Sequence, residues 1–182
     1  MATITNLCKL SKYTEVMNML NTYPMNYRLD IPDKQFNATP LIWACWHSRE
    51  GEALKFLEYP DRCNIDVIDS YNGTALMWAC RHRMEKVALK LLNYADKCNL
   101  EIVNKFGETT LIVACVAGLK KVVQKILQTS EKCNISHLYI NKISASDIAK
   151  EYGWTDIVNH IEKICHPSIM NLSPPHKFVL EV

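Results

Sequence analysis

The chain has 182 residues, of which 48% are hydrophobic and 22% are charged, so it is long enough to fold around one continuous core. Its 21 basic residues nearly balance its 19 acidic residues, and the formal charge of +2 argues against nucleic acid as the main partner. No apolar stretch approaches the roughly 18 residues of a membrane span, and residues 1–6 lack the basic and then apolar order of a signal peptide. We therefore expect no membrane association.

One phrase of nine residues occurs three times, at residues 37–45, 72–80 and 107–115. Its threonines, Thr39, Thr74 and Thr109, are evenly spaced, because 74 − 39 and 109 − 74 both equal 35. A fixed period of this size is typical of a solenoid of stacked repeats and not of a globular enzyme core. A second phrase, which begins with Cys-Asn, occurs in the same register at residues 63, 98 and 133.

The repeat extends beyond the three clear copies in both directions. Residues 144–149 follow in phase, and Tyr23-Pro24 mirrors Tyr59-Pro60 one residue out of step. We therefore predict one repeat domain over residues 1–164, with atypical units at both ends, as solenoid caps require. Its parts are a degenerate N-terminal half-cap at 3–36 and repeats at 37–71, 72–106, 107–141 and 142–164. Residues 165–182 are predicted to form a C-terminal tail.

Each copy predicts two short helices separated by a turn. In the second copy, apolar residues recur at helical spacing from Leu76 to Cys80 and from Val87 to Leu92, and residues 81–85 between them are polar. The threonine that opens each copy predicts a helix N-cap worth about 1 kcal/mol, and a proline suits the helical position that follows it. The unit is thus helix, turn, helix and projecting loop, which predicts an all-α solenoid.

The eight cysteines do not predict a disulfide framework. Six of them stand at equivalent points of successive copies, namely Cys45, Cys80 and Cys115, and Cys63, Cys98 and Cys133. Equivalent atoms in stacked helices lie roughly 10 Å apart, whereas a disulfide needs Cα atoms within about 7 Å. We therefore expect reduced thiols and a cytosol-like, cytoplasmic compartment.

No constellation of residues predicts an enzyme. Cysteine and histidine are neighbours in two copies, at Cys45 with His47 and at Cys80 with His82. Side chains two residues apart on a helix do not face each other, and the cysteines take core positions that favour buried, inert thiols. A loose cluster of His160, Cys165 and His166 lacks the spacing of a structural zinc site. We expect no catalytic residue, no metal and no cofactor.

The opening of each copy carries a family signature. Residues Thr39-Pro40-Leu41-Ile42-Trp43-Ala44 resemble the Thr-Pro-Leu-His-x-Ala signature of ankyrin repeats, and residues 117–123 resemble that family's turn and second helix. The resemblance covers residues 3–164 and implies an ankyrin-repeat solenoid, a scaffold that binds another protein. The composition of the repeats is also similar to that of ankyrin arrays of large DNA viruses, which implies the host cytosol as the compartment.

The chain departs from the family pattern in three respects. The signature histidine is replaced by Ile42, Met77, Ile112 and Asp147, and the glycine before the loop is replaced by Arg62, Lys97 and Lys132. The period of 35 also exceeds the usual one of about 33. We therefore expect a two-residue extension at the end of the second helix, at Tyr59-Pro60 or Tyr94-Ala95.

In ankyrin proteins, partners bind to the loop tips and to the exposed face of the first helices, and the resemblance assigns both to this chain as one concave surface. At the tips we expect an aromatic row of Phe36, Tyr71 and Phe106, flanked by Lys105 and Glu108. The matching exposed positions on the first helices are Trp46, His47, Arg81, His82 and Tyr152. These ten residues are the predicted partner-binding site, because aromatic and arginine side chains are favoured where interface energy concentrates.

These assignments have alternatives. The three rings could pack on one another for stability alone, and Trp46 could cover a neighbouring helix. The basic run from Arg81 to Lys90 could contact phosphates or an acidic peptide, although a solvated helix face explains it equally well. An adaptor that docks through the tail, a Cys/His enzyme and a structural spacer are further functions that the sequence leaves open. We favour a monomeric, non-catalytic protein-binding module.

Overall fold

In the computed structural model, α-helices form almost all of the regular structure. The structure describes residues 3–23, 26–129 and 133–165, and of residue 141 it describes the backbone alone. The α-helices in these ranges are α1 Ile4–Lys9, α2 Tyr13–Thr22, α3 Pro40–Trp46, α4 Glu50–Phe56, α5 Ala75–Arg81, α6 Glu85–Leu91, α7 Thr110–Val116, α8 Lys120–Thr129, α9 Ala145–Glu151 and α10 Thr155–Cys165. The all-α fold predicted from the sequence is confirmed.

The helices form two periodic series. The first helices of four successive repeats (α3, α5, α7 and α9) begin at residues 40, 75, 110 and 145, in steps of 35. The second helices (α4, α6, α8 and α10) begin at residues 50, 85, 120 and 155, in the same steps. Within each series, helices of neighbouring repeats contact one another, so the repeats stack. The helix-turn-helix unit and its period are therefore confirmed.

The N-terminal segment, for which the sequence predicts a degenerate half-cap over residues 3–36, contains the helix pair α1 and α2. Helix α1 packs against α3, as the later first helices pack against their successors, and α2 packs back against α1. The hydroxyl oxygen of Thr3 caps α1 by accepting a hydrogen bond from the backbone N of Asn6 at 3.2 Å. This first unit therefore keeps the capping threonine of the later repeats without the rest of their signature.

The repeated threonines fix where the first helices begin. The hydroxyl oxygens of Thr39, Thr74 and Thr109 accept hydrogen bonds from the backbone N three residues later, at 3.3, 3.1 and 3.3 Å. Pro40 occupies the first position of α3, where no backbone donor is needed. In the last repeat Ser144 takes the place of the threonine and forms a capping box with Asp147. Local capping therefore sets a common register for the stack.

The long period is accommodated after the second helices, where the sequence predicts an extension. A 3₁₀ helix of Pro60–Arg62 follows α4, and one of Leu92–Lys97 follows α6. Each segment ends at a buried cysteine, whose thiol donates a hydrogen bond to a carbonyl at the end of the preceding helix. This bond joins Sγ of Cys63 to O of Phe56 at 2.9 Å and Sγ of Cys98 to O of Leu91 at 3.3 Å.

The asparagine after each of these cysteines makes the turn into the loop. Asn64, Asn99 and Asn134 have φ angles of 49°, 49° and 48°, a left-handed conformation that asparagine tolerates better than most residues. Nδ2 of Asn99 also donates a hydrogen bond to O of Asp66, in the preceding loop, at 2.7 Å. Asparagine therefore makes the left-handed turn in each of these loops and joins successive loops.

The last loop differs from the others because it is a short hairpin. Strand β1, Leu138–Tyr139, pairs antiparallel with strand β2, Ile143–Ser144, and Ile140–Lys142 form a 3₁₀ turn between them. Helix α9 begins directly after β2, so the hairpin holds Tyr139 and Ile143 beside the first helices. This placement shapes the C-terminal end of the candidate site.

A single apolar core runs through the stacked repeats. Its most uniform positions lie in the first helices, where Ala44, Ala79 and Ala114 and the cysteines that follow them are fully buried. Small side chains at these positions let neighbouring first helices approach closely. Each repeat therefore buries its apolar face against the next one, as a solenoid requires.

Candidate partner-binding surface

Phe36, Tyr71 and Phe106 form the aromatic row that the sequence predicts. The centroids of the first two rings are 6.4 Å apart and those of the last two are 6.1 Å apart, with interplanar angles of 13° and 9°. The loops that carry them are also joined by backbone bonds, from N of Ser70 to O of Phe36 at 2.7 Å and from N of Lys105 to O of Tyr71 at 2.9 Å. Phe36 and Tyr71 are half-buried, whereas Phe106 is 46% exposed.

A buried aspartate holds each of the first two loops in shape. Oδ1 of Asp69 accepts hydrogen bonds from the backbone N of Tyr71 at 2.8 Å and of Gly73 at 2.7 Å. Its Oδ2 accepts a hydrogen bond from Nε1 of Trp78 at 2.6 Å. Asp33 makes the corresponding bonds in the preceding loop, including one from Nε1 of Trp43 at 3.1 Å. These carboxylates therefore face inward and tie the loop to the helix behind it.

Burial on its own raises the pKa of Asp33, but favourable bonds outweigh it. The backbone N–H groups of Phe36 and Gln35 and the ammonium of Lys9 stabilise its charged form, so the pKa of Asp33 lies below its usual value. The Asp33 carboxylate is therefore ionised at neutral pH. Its charge is neutralised within the protein, since Nζ of Lys9 lies 3.2 Å from Oδ1.

The third loop uses a different set of side chains for the same task. Val113 stands where the first two repeats have tryptophan, and Asn104 stands where they have aspartate. Oδ1 of Asn104 accepts from the backbone N of Phe106 at 2.9 Å and of Glu108 at 3.0 Å, while its Nδ2 donates to Oε2 of Glu108 at 2.9 Å. Glu108 also forms an ion pair with Arg81. Predicted from the sequence as a partner contact, Glu108 is only 4% exposed and its carboxylate bonds within the chain.

The exposed face of the first helices presents two columns of residues at the repeat period. One column consists of Trp46, Arg81, Val116 and Glu151, and the other of His47, His82, Ala117 and Tyr152. Together with the aromatic row, these two columns are called the inner surface below. The framework alanine is the same in all four repeats, at Ala44, Ala79, Ala114 and Ala149, and a cysteine follows it in three of them. The first column differs in every copy, and the second holds histidine twice, alanine and tyrosine.

Trp46 is half-buried in a cluster of aromatic rings. Its ring centroid lies 4.2 Å from that of Trp78, 5.4 Å from that of Tyr71 and 5.8 Å from that of Trp43. Trp43 and Trp78 are buried, as the sequence predicts for core positions. The structure thus gives Trp46 a packing role, and its use as a partner anchor stays a prediction.

Arg81 and His47 are held by aromatic contacts. The guanidinium of Arg81 lies 5.6 Å from the ring centroid of Trp78 and 5.1 Å from that of Phe106. His47 stacks on Trp43 at 5.4 Å, and its Nδ1 lies 3.0 Å from the hydroxyl of Tyr13. Burial lowers the pKa of His47, and the charge of Arg49 lowers it further. The imidazole is therefore neutral at physiological pH.

Three of the remaining predicted contacts are exposed. His82 and Lys105 lie at the surface, and burial of part of the imidazole lowers the pKa of His82. Tyr152 is 48% exposed, although its hydroxyl donates to O of Val116 at 3.3 Å and its ring stacks on Trp154 at 4.7 Å. Tyr152 also forms one wall of an open cavity of about 420 Å³. This cavity is lined by Val116, Tyr139, Ile143, Ile148, Glu151 and Tyr152.

The structure gives the cysteines no catalytic setting. Cys45, Cys80 and Cys115 are fully buried, and burial raises the pKa of each thiol, that of Cys115 to about 12. A reactive cysteine needs an accessible thiol with a lowered pKa, which is the opposite situation. The basis of the Cys/His enzyme hypothesis is therefore absent at these three positions.

Within residues 3–23, 26–129 and 133–165, no three potential metal ligands of the His, Cys, Asp and Glu types are grouped closely enough to hold an ion. None of the helices in the described part of the chain is long and apolar enough to cross a membrane. His160 and Cys165 belong to α10, whereas His166 and the rest of the predicted tail lie outside the described residues. The adaptor hypothesis, which needs that tail, therefore stays a prediction.

Sequence reasoning missed the inward-facing carboxylates and the cavity. The acidic or amide residue that recurs at 33, 69 and 104 was a usable signal for the inward-facing side chains. The loop of Asp33 is one residue longer, however, and breaks the period. The exposed Val116 and Tyr152 were visible as column positions, but the hairpin that closes the cavity over them was not predicted. Loop conformation was thus the weakest part of the prediction.

Stacked helix pairs with loops that project from one end of each pair define a helical-repeat protein of the ankyrin class. A family model described as ankyrin repeats (3 copies) matches residues 6–101 and residues 47–137. The chain therefore belongs to the ankyrin-repeat family, whose members are generally protein-protein interaction modules and are typically not enzymes. No curated protein matches the chain in sequence.

Proposed function

We propose that the chain is a non-catalytic binding module that holds one partner protein along its inner surface. The observation that carries the proposal is the contrast between a constant framework and variable columns. The buried alanines and cysteines and the capping Thr or Ser recur with the 35-residue period, whereas Trp46, Arg81, Val116 and Glu151 occupy one equivalent position with four different chemistries. A rigid scaffold of this kind binds without a large ordering cost.

The exposed share of the inner surface lies toward its C-terminal end. Phe106, Val116 and Tyr152 are each about half exposed, at 46%, 49% and 48%. Large exposed apolar groups that cluster on one face mark interaction sites more often than scattered ones do. Phe36 and Tyr71 contribute mainly to loop stacking, since both are half-buried. The proposed contact region is therefore centred on the third and fourth repeats.

Affinity capture from a lysate of the native cell tests this proposal when the variants are chosen by exposure. Phe106→Ser with Val116→Ser removes two exposed apolar groups from the inner surface. Leu10→Ser with Ile164→Ser removes two exposed apolar groups elsewhere, at 65% and 42% exposure, and serves as the matched control. We expect a copurifying protein that the first variant loses and the control retains. Two results would contradict the proposal. One is a partner that both variants capture equally, and the other is that neither variant nor the wild type captures any partner.

We further propose that the protein works in a reducing, cytosol-like compartment. Supporting this, seven cysteines of the described chain are buried, while Cys165 is exposed. Titration of the native protein with a thiol reagent should therefore modify Cys165 quickly, and the buried thiols should react only after denaturation. Rapid reaction of several thiols in the folded state would count against this arrangement.

A further inference from the structure

The cavity at the C-terminal end of the inner surface occupies a defined place in the repeat pattern. Two tip rings contact the column residue of their own repeat, since Tyr71 lies against Trp46 at 5.4 Å and Phe106 lies against Arg81 at 5.1 Å. The next pair in this register is Val116 and residue 141. The sequence has asparagine at position 141, so no ring stands at this register position, and the two tyrosines that line the cavity with Val116, Tyr139 and Tyr152, come from other positions.

The open cavity lies beside Val116, at the end of the aromatic row. Apolar side chains form most of its lining, with Val116 49% and Tyr152 48% exposed and Ile143 and Tyr139 on the hairpin side. Its volume of about 420 Å³ is within the range of natural ligand pockets, roughly 300 to 1,000 Å³. The stacked series of described rings ends at Phe106, which is the most exposed ring of the row. One additional ring would therefore extend the row.

The charges around the cavity are arranged asymmetrically. At the loop tips, the acidic groups of Asp33, Asp69 and Glu108 are buried and accept hydrogen bonds within the protein, whereas Asp66 and Glu101, nearer the start of their loops, are exposed. Three lysines of the same loops are exposed and form no ion pair with a described residue, namely Lys34, Lys105 and Lys142. The exposed charged side chains at the loop tips are therefore lysines, and one of them, Lys142, directly precedes the cavity residue Ile143.

Glu151 is the one carboxylate among the residues that line the cavity, and it lies on α9, away from the loop tips. An acidic chain would be repelled by Glu151 and attracted by Lys105 and Lys142. This polarity orients a bound segment, with its carboxylates over the tips and its apolar group toward α9. Complementary charge of this kind fixes register and raises association rates.

From these observations we propose that the cavity receives an aromatic side chain carried by an acidic segment of the partner protein. The ring takes the place beside Val116 where the chain's own fourth tip ring is missing. The carboxylates that flank the ring contact the ammonium groups of Lys105 and Lys142. This inference rests on the proposed function and specifies the chemistry of the partner.

The test uses a display library of random 12-residue peptides, selected on the folded full chain. We expect the enriched peptides to share one aromatic residue with several Asp or Glu nearby. Val116→Trp introduces at the cavity the tryptophan that the first repeat has at the equivalent position, Trp46. Binding of a synthetic enriched peptide should therefore weaken by at least about tenfold, as loss of a hot spot implies. Val116→Thr, which keeps the volume and leaves the cavity open, should bind nearly as the wild type does.

A second pair of variants tests the charges. Lys105→Glu with Lys142→Glu should weaken the same peptide by about tenfold at low salt and remove most of its salt dependence. Lys86→Glu with Lys163→Glu makes the same change in net charge at exposed positions of second helices and should have little effect. The thermal midpoint of each variant reports whether the fold is retained.

Four outcomes would overturn the inference. Enriched peptides that are basic or lack an aromatic residue would do so, and so would undiminished binding to Val116→Trp. Peptides that bind Val116→Trp normally but are lost from Phe106→Ser would overturn the cavity assignment while leaving the proposed function intact. Failure of the folded wild type to enrich any peptide would count against both.

Discussion

The two halves of the inner surface have the same backbone register and differ in the side chains at equivalent positions. In the N-terminal half, Trp43, Trp46, Tyr71 and Trp78 contact one another as one aromatic cluster, so the surface is closed by the chain's own rings. In the C-terminal half, Val113 and Val116 replace the tryptophans of the first repeat, and a cavity opens beside Val116. A repeat scaffold can therefore use the same position for internal packing in one copy and leave it open for a partner in another.

The difference arises from side chains that change together. At Gly73 an added Cβ would lie 2.6 Å from Nε1 of Trp78, so that loop must approach the indole without a side chain. Where Val113 replaces the tryptophan, the same register position holds Glu108, whose carboxylate bonds to Asn104 and Arg81. A bulky ring and a buried carboxylate are thus alternative ways to support the same loop.

Removal of an indole should have the largest effect. Trp78→Ala deletes a buried ring together with its bond to Asp69, and we expect the free energy of unfolding to fall by about 3 to 5 kcal/mol. Val113→Ala, at the same register position of the next repeat, should cost only about 1 to 2 kcal/mol, since far less surface is buried. Urea unfolding of both variants measures the contrast. Equal losses would show that the two halves depend on their cores to the same extent.

The loop supports can be exchanged between the two halves. Asp69→Asn leaves the indole of Trp78 without its acceptor and should cost about 1 to 3 kcal/mol. Asn104→Asp places a second carboxylate beside Glu108 and should also destabilise the fold, whereas adding Glu108→Gln should recover part of the loss. Chemical denaturation of the two single variants and the double variant checks this. Additive losses in the double variant would contradict the assigned pairing of residues 104 and 108.

The two ends of the aromatic row should respond differently to truncation. Phe36→Ala removes a half-buried ring that meets Trp43 edge-on at 5.5 Å, and we expect a loss of stability of about 2 kcal/mol. Phe106→Ala removes a more exposed ring and should cost about 1 kcal/mol or less while weakening partner binding. Thermal unfolding and binding are measured on both variants. A larger stability loss at Phe106 than at Phe36 would reverse the proposed division.

The smallest expected effect concerns pH. Because the pKa of His47 is lower in the folded chain than the usual value of about 6.5, the unfolded chain binds the proton more tightly. The stabilising contribution is complete above about pH 6.5 and is lost as the pH falls toward the folded-state pKa. His47→Gln should therefore flatten the decline in stability below pH 6.5, whereas Ala117→Gln, in the same column, should leave it unchanged. An unaltered slope in His47→Gln would show that this imidazole does not contribute.

The sequence predicted those features of the fold that local chemistry determines. The 35-residue period, the capping threonines and the buried cysteines follow from patterns that recur residue by residue, and the structure confirms them. The N-terminal unit was harder to predict in detail, because α1 keeps its capping Thr3 without the rest of the signature. The sequence shows Asn64 and its equivalents only as part of a repeated phrase. Their left-handed conformation, which makes the turn into each loop, was not predicted.

The candidate site was less predictable because it depends on contacts between repeats. The aromatic row followed from the register alone, and in the structure its rings stack on one another, which the sequence had given as the alternative to partner binding. The sequence predicts Glu108 at the surface because its position follows a loop tip. In the structure its carboxylate is buried and bonds to Asn104 and Arg81. The cavity required the hairpin of β1 and β2, which no repeat upstream contains in the described chain. Which of the ten predicted residues contact a partner stays a prediction.

The most direct test of the account is a site-specific photocrosslinking experiment in lysate of the native cell. The photoreactive residue p-benzoylphenylalanine replaces Val116 in one protein, Trp46 in a second and the outward-facing Lys86 in a third. We predict a covalent partner adduct from position 116, little from position 46 and none from position 86. An adduct that forms at position 46 or 86 but not at position 116 would contradict the claim that the open C-terminal half of the inner surface holds the partner.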